Sequence, residues 1–262
     1  MNVSRRRAAA LGAVLLLAGC AGCGKPGDSN AELRAGRVVV FSAASLTESF
    51  TVIANGFQAR HPDVDVELVF GPSTELARQV VEGARADVFA AASTPSVAPV
   101  IKAELALGAP RVFARNRLQI AVAAGNPARI GSLGDLANNG VKFAQCAVEV
   151  PGGAAAKTLL DLARVNAQPV TYERDVKAVL AKVRLGEVDA GLVYRTDIRA
   201  ESKTGRSRIA GVEIAESMLA GNDYPILAVK RAGDRRAAGA FVEFVLSAEG
   251  RAVLVEAGFD VP

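Results

Sequence analysis

Segments typical of strands alternate with segments typical of helices from Arg37 to the last residue, Pro262. The continuous apolar run over residues 38–41 is typical of a strand buried on both faces. It is followed, up to Phe57, by apolar residues spaced three and four positions apart, as on one face of a helix. The same succession recurs over residues 64–81. This alternation predicts an α/β fold in which helices cover a mostly parallel sheet.

The alternation resumes after an apolar strand over residues 118–123 and predicts two α/β lobes. We expect lobe I to hold residues 37–116 and 229–262, and lobe II to hold residues 117–228, which include the connecting hinge strands. Each lobe is then a mixed, mostly parallel sheet flanked by helices, and the ligand cleft lies between lobes that close about a hinge. A single α/β domain is the alternative that the pattern leaves open.

The N-terminal segment is typical of a targeting sequence rather than of a folded element. Three arginines are followed by ten apolar residues, which predicts a signal peptide over residues 1–19. Such a stretch is too short to remain as a membrane-spanning helix. Leu-Ala-Gly-Cys at 17–20 resembles the lipobox of bacterial lipoproteins, which implies cleavage before Cys20 and lipidation of that residue; a simple secreted protein is the alternative. Residues 20–36, rich in Gly and polar residues, predict a flexible lipidated tether.

The charge of the chain gives no sign of a nucleic-acid partner. The whole sequence carries 31 basic and 27 acidic residues, a net charge of +4. Removal of residues 1–19 removes three arginines and no acidic residue, so the net charge falls to +1. Because no basic patch stands out in the remaining sequence, we expect no nucleic acid among the partners, and we expect a monomer.

Residues that carry enzyme chemistry are scarce. The only histidine, His61, precedes Pro62 at a predicted helix end, and one histidine cannot supply a zinc cluster. Cys146, at the end of a predicted strand, is the one candidate nucleophile, but a reactive thiol needs a nearby cation or base. We therefore expect no enzyme activity and no cofactor. An enzyme that uses Cys146 is kept as an alternative.

Neutral hydrogen-bond donors stand where predicted strands meet predicted helices. The set comprises Ser45 and Ser73 at helix starts, Gly152 before a third helix, Val176 in the first turn of a fourth, and Tyr194 at a strand end. In parallel sheets, ligands bind beyond the carboxyl ends of the strands, and helix starts add N–H groups and a partial positive charge. These residues predict a site for an anion that carries no proton.

Ser45 also has a structural interpretation. Glu48 follows it at the spacing of a capping box, in which the serine hydroxyl and the glutamate carboxylate each accept a backbone N–H. We expect Ser45 to cap its helix and to turn its hydroxyl to the ligand when one binds.

Five stretches resemble the molybdate-binding proteins of ABC importers, and the resemblance spans nearly all of residues 37–262. They are Ala-Ala-Ser-Leu-Thr (43–47), Ser-Thr-Glu-Leu-Ala-Arg-Gln (73–79), Gly-Ala-Arg-Ala-Asp-Val-Phe (83–89), Val-Pro-Gly-Gly (150–153) and Gly-Leu-Val-Tyr (191–194). The resemblance implies a type II periplasmic-binding-protein fold with molybdate or tungstate in the cleft between the lobes.

The resemblance also implies which atoms hold the ligand. The hydroxyls and amides of Ser45 and Ser73, the amides of Gly152 and Val176, and the hydroxyl of Tyr194 would contact the molybdate oxygens, without binding the metal directly. Gly152 departs from the family, in which Ala is common at this position.

The implied role is extracytoplasmic capture of molybdate or tungstate and delivery to an ABC permease driven by an ATPase. The protein would be anchored to the cell membrane through Cys20. Because the type of donor fixes the charge of a ligand better than its size, sulfate or another tetrahedral oxyanion is the alternative ligand.

Overall fold

The computed structural model describes residue 33 and residues 36–203, 205 and 207–262. The predicted signal peptide, the lipidation site Cys20 and most of the predicted tether lie outside the described residues. The chain from Leu33 to Pro262 forms one compact unit. None of the helices in this described part is both long and apolar enough to cross a membrane.

The described residues form ten strands and eight α-helices, which alternate along most of the chain. The strands are β1 (Gly36–Ala43), β2 (Val64–Gly71), β3 (Val88–Ala90), β4 (Ala106–Asn116), β5 (Leu118–Ala123), β6 (Phe143–Cys146), β7 (Thr171–Glu173), β8 (Ala190–Tyr194), β9 (Ile209–Val212) and β10 (Asn222–Val229). The helices are α1 (Thr47–Arg60), α2 (Ser73–Val81), α3 (Thr94–Lys102), α4 (Pro151–Leu162), α5 (Val176–Leu185), α6 (Arg195–Ser202), α7 (Arg235–Leu246) and α8 (Ala248–Ala257).

The strands form two five-stranded sheets with the same arrangement of directions. The first sheet has the order β2-β1-β3-β10-β4, and the second has the order β7-β6-β8-β5-β9. In the first, only β10 runs against the other four strands; in the second, only β5 does. The prediction of mixed, mostly parallel sheets flanked by helices is therefore confirmed.

The first strand and helix show how the sequence pattern produces this packing. β1 lies between two parallel neighbours and is buried from Val38 to its end, which explains the continuous apolar run. α1 buries Phe50 and Phe57 against the core, and the ring of Phe57 packs edge-on against Phe241 of α7 at 5.3 Å. Burial of each phenylalanine side chain stabilises the folded state by about 1.5–3 kcal/mol. This packing holds the start of α1 at the carboxyl end of β1.

The chain passes between the sheets where β4 gives way to β5 and where β9 gives way to β10. Asn116 ends β4 in the first sheet, and Leu118 begins β5 in the second. β10, which the predicted boundaries place almost wholly in lobe II, pairs along its length with β3 and β4 in the first sheet. The lobe boundaries themselves stay a prediction.

Candidate functional site

A small cavity lies at the carboxyl ends of strands from both sheets. Its lining includes all the residues that the sequence predicts to bind the ligand, namely Ser45, Ser73, Gly152, Val176 and Tyr194. The cavity measures about 20 Å³, on a scale in which one water needs about 10–15 Å³. The structure thus brings together five residues that lie as far as 149 positions apart in the sequence.

Four helical segments begin at this cavity. The chain turns through a short 3₁₀ segment, Ala44–Leu46, before α1, while Ser73 and Val176 are the first residues of α2 and α5. Gly152 is the second residue of α4. The first N–H groups of a helix have no partner within it, and each helix start carries about half a positive charge. Convergence of such segments favours an anion.

The predicted capping box at Ser45 is wrong. The 3₁₀ segment moves the start of α1 to Thr47, so Ser45 is not the capping residue, and the first turn of α1 has no side-chain cap. The Oγ of Ser45 lies 2.9 Å from the hydroxyl oxygen of Tyr224, and Glu48 pairs with Lys177. A buried tyrosine hydroxyl needs a hydrogen-bond partner. The partner of Tyr224 is Ser45, the residue that the local spacing predicted to cap α1.

The hydroxyl of Ser73 has one hydrogen bond from the protein and one proton to give. The N–H of Ala92 donates to Ser73 Oγ at 3.0 Å, and Ser73 is buried. A hydroxyl that accepts one hydrogen bond keeps its own O–H as a donor. Pro72, the residue before α2, presents no N–H, so Ser73 is the first donor of that helix.

Tyr194, the last residue of β8 in the second sheet, also has a hydroxyl that accepts a hydrogen bond from the protein. Its hydroxyl accepts a hydrogen bond from Asn222 Nδ2 at 2.7 Å, and its N–H donates to Asp197 Oδ2 at 3.1 Å. Burial raises the pKa of Tyr194 well above its ordinary value, and the neighbouring Tyr224 raises it further. The hydroxyl therefore keeps its proton and can donate it.

Gly152 and Cys146 meet in the lining of the cavity. A Cβ on Gly152 would lie 3.0 Å from both Cys146 Sγ and Val176 Cγ1, closer than ordinary contact. Glycine at this position therefore avoids a tight contact with both side chains. Burial raises the pKa of the Cys146 thiol, and the charge of Asp175 raises it further. Because the thiolate is the reactive form, the thiol is poorly suited to act as a nucleophile.

Two charged residues that the sequence does not predict at the site also line the cavity. Asp175 and Arg174 precede α5, and their side chains lie 3.5 Å apart as an ion pair. Asp175 Oδ1 accepts the N–H of Ala178 at 2.9 Å, which makes it the cap of α5. The carboxylate is thus engaged with the helix and the adjacent guanidinium.

Three further residues support the site although the sequence does not predict them there. Tyr224 and Asn116 are fully buried behind Ser45, and Asn222 lies behind Tyr194. The available signal was weak: asparagine is depleted in strands, yet Asn116 ends β4 and Asn222 begins β10. Their partners in the site lie too far along the chain for local spacing to identify.

Comparison with known proteins agrees with this architecture. Residues 38–260 match the family described as bacterial extracellular solute-binding protein. The molybdate-binding protein ModA of Mycobacterium tuberculosis (strain H37Rv) is 39% identical over 252 residues, which is 95% of each chain.

Two solved structures are similar in fold. The periplasmic molybdate-binding protein of Azotobacter vinelandii aligns with a TM-score of 0.70 at 20% identity, covering 86% of this chain and 99% of that one. The sulfate-binding protein SubI of M. tuberculosis H37Rv aligns with a TM-score of 0.76 at 18% identity, covering 86% and 87%. Likenesses at these identities show the fold, which is of the periplasmic-binding-protein type II. The family match and the identity to ModA go further, and the chain belongs to the bacterial extracellular solute-binding proteins.

Proposed function

We propose that this protein captures molybdate, or tungstate, outside the cytoplasm and delivers it to the permease of an ABC importer. The observation that carries the proposal is the cavity where four helical segments begin and where hydroxyl groups already satisfied as acceptors keep a proton to donate. The 39% identity to a molybdate-binding protein over 95% of both chains supports molybdate as the ligand.

The chemistry of the donors suits a dianion without a proton. The N–H groups of Gly152 and Val176 and the hydroxyls of Ser45, Ser73 and Tyr194 can all donate to an oxyanion oxygen. A hydrogen bond to a charged group contributes about 1.5–3 kcal/mol. Several such bonds together can hold a fully deprotonated tetrahedral anion, and the paired side chains of Arg174 and Asp175 also line the cavity.

Binding without catalysis is the activity that we assign. Burial and the charge of Asp175 both raise the pKa of the Cys146 thiol, which disfavours the reactive thiolate. The role in transport also requires a position outside the cytoplasm. We propose that Cys20 carries the lipid that anchors the protein to the membrane, and that the protein acts as a monomer with the permease and its ATPase as partners.

Thermal unfolding with a panel of oxyanions tests the proposal. Protein lacking residues 1–30 is heated with molybdate, tungstate, sulfate or hydrogen phosphate. A ligand present at about a thousand times its Kd stabilises the native state by about 4 kcal/mol, which for a domain of this size is roughly 8–16 °C. We expect shifts of this order with molybdate and tungstate. A larger shift with sulfate, or none with molybdate, would overturn the proposal.

A further inference from the structure

Two asparagines stand opposite each other where the chain passes between the sheets. Asn116, the last residue of β4, pairs in register with Asn222, the first residue of β10. Asn116 is fully buried and Asn222 is partly buried. Each directs its side-chain amide at a tyrosine hydroxyl near the cavity.

The orientation of the Asn222 amide is fixed by a backbone carbonyl. Asn222 Nδ2 lies 3.2 Å from the carbonyl oxygen of Pro151 and 2.7 Å from the hydroxyl of Tyr194. A carbonyl oxygen can only accept, so the atom that faces it is the NH₂ nitrogen. Asn222 therefore donates to Tyr194, and the tyrosine proton is directed to another acceptor, either the neighbouring Tyr224 oxygen or an anion in the cavity.

The orientation of the Asn116 amide is fixed from its other end. Asn116 Oδ1 accepts the N–H of Arg117 at 3.0 Å, so Nδ2 faces Thr196 Oγ1 at 2.9 Å and the Tyr224 hydroxyl at 3.4 Å. Since the Tyr224 oxygen accepts from Asn116, its proton is available to Ser45 Oγ at 2.9 Å. Either hydroxyl can donate across this contact; when Tyr224 donates, Ser45 keeps its own proton for the cavity.

We propose that Asn116 and Asn222 are positioning residues that determine which oxyanions the site accepts. By donating to the two tyrosine hydroxyls, they set the direction of the hydrogen bonds so that Ser45 and Tyr194 present protons, not lone pairs, to the ligand. The site then matches an anion whose oxygens all accept and disfavours one that must donate a proton. This inference rests on the proposed function, since it concerns the selectivity of the same cavity.

The substitution Asn222→Asp reverses the direction of the hydrogen bond to Tyr194 while nearly keeping the shape of the side chain. The carboxylate accepts the proton of Tyr194, which leaves a lone pair of that hydroxyl toward the cavity. The probes are molybdate and phosphate at mildly alkaline pH, where both are dianions but hydrogen phosphate retains one proton. Repulsion by the added carboxylate acts on two anions of equal charge, so the ratio of their affinities isolates the effect of hydrogen-bond direction.

We expect Asn222→Asp to weaken molybdate binding by about 10- to 100-fold, as for loss of a hydrogen bond to a charged group, measured by titration calorimetry. Hydrogen phosphate should lose less, so the ratio of molybdate to phosphate affinity should fall. Asn222→Leu, which neither donates nor accepts, should weaken molybdate with a smaller change in the ratio. Adding Tyr194→Phe to Asn222→Asp should abolish the change in ratio, because the effect acts through that hydroxyl.

Asn116→Asp provides an independent test through Tyr224 and Ser45, and thermal unfolding without ligand establishes that each variant is folded. The inference is overturned when the wild-type protein binds molybdate but folded Asp variants lower both affinities by the same factor, or lower neither. Failure of the proposed function is a distinct result, because the wild-type protein itself would then bind no molybdate.

Discussion

Lys177, on α5, pairs with carboxylates on α1 and α6, and its removal should expose the energetic cost of a buried carboxylate. Its Nζ lies 2.7 Å from Glu48 Oε1, on the helix that follows β1, and 3.0 Å from Asp197 Oδ1, on α6. The Asp197 side chain is only 1% exposed, whereas that of Glu48 is 52% exposed. Lys177→Met therefore leaves a deeply buried carboxylate without its cation. Breaking a buried pair in this way costs about 3–5 kcal/mol.

The loss of stability caused by Lys177→Met should depend on pH, and its sign follows from the pKa of Asp197. Burial raises the pKa of Asp197, and Lys177 partly opposes this effect. A carboxyl group with a raised folded pKa stabilises the fold below its unfolded pKa, about 4, and that contribution is lost as the pH rises through the folded pKa. Without Lys177 the folded pKa rises further, so the cost of Lys177→Met should be largest near neutral pH and should shrink on acidification.

Urea unfolding of the ligand-free protein, followed by circular dichroism at neutral and acidic pH, measures this cost. Glu48→Gln removes only the exposed partner and should cost no more than about 1 kcal/mol. On an Asp197→Asn background, whose amide oxygen can still accept the N–H of Tyr194, most of the cost of Lys177→Met should disappear. The reasoning is refuted if Lys177→Met costs as little as Glu48→Gln, or if its cost is the same on the Asp197→Asn background.

The remaining predictions concern the cavity and its supports. Ser45→Ala and Ser73→Ala should each weaken molybdate binding by about 10- to 100-fold in titration calorimetry, because each loses a hydrogen bond to a charged group; unchanged affinity in both would rule out the assigned site. Cys146→Ser should leave the affinity unchanged, and a large loss would indicate a direct role for the thiol. Gly153→Ala should destabilise the fold by roughly 1–3 kcal/mol, because its Cβ would lie 1.9 Å from a backbone carbonyl oxygen; an unchanged midpoint in urea would show that the start of α4 can move.

The positions of the site residues could be predicted because they depend on local patterns. Strand ends and helix starts follow from periodicity, and parallel strands bring their carboxyl ends to one edge of a sheet. The hydrogen-bond partners could not be predicted, because they depend on contacts between distant segments. Ser45 and Tyr224 lie 179 positions apart, and the local spacing from Ser45 to Glu48 pointed instead to a capping box that does not form. Likewise, only the register of β4 with β10 places Asn116 opposite Asn222.

Burial favours the neutral, protonated forms of the tyrosine and cysteine side chains around the cavity. It is the main cause that raises the pKa of Tyr194, Tyr224 and Cys146. Both tyrosines are protonated in the folded and the unfolded state below about pH 10, so their donor character and their effect on stability are constant across the neutral range. Stability that depends on their raised pKa values is lost only as the pH rises above that range. Selection near neutral pH therefore depends on the protons that the anion carries, because the tyrosine hydroxyls do not titrate there.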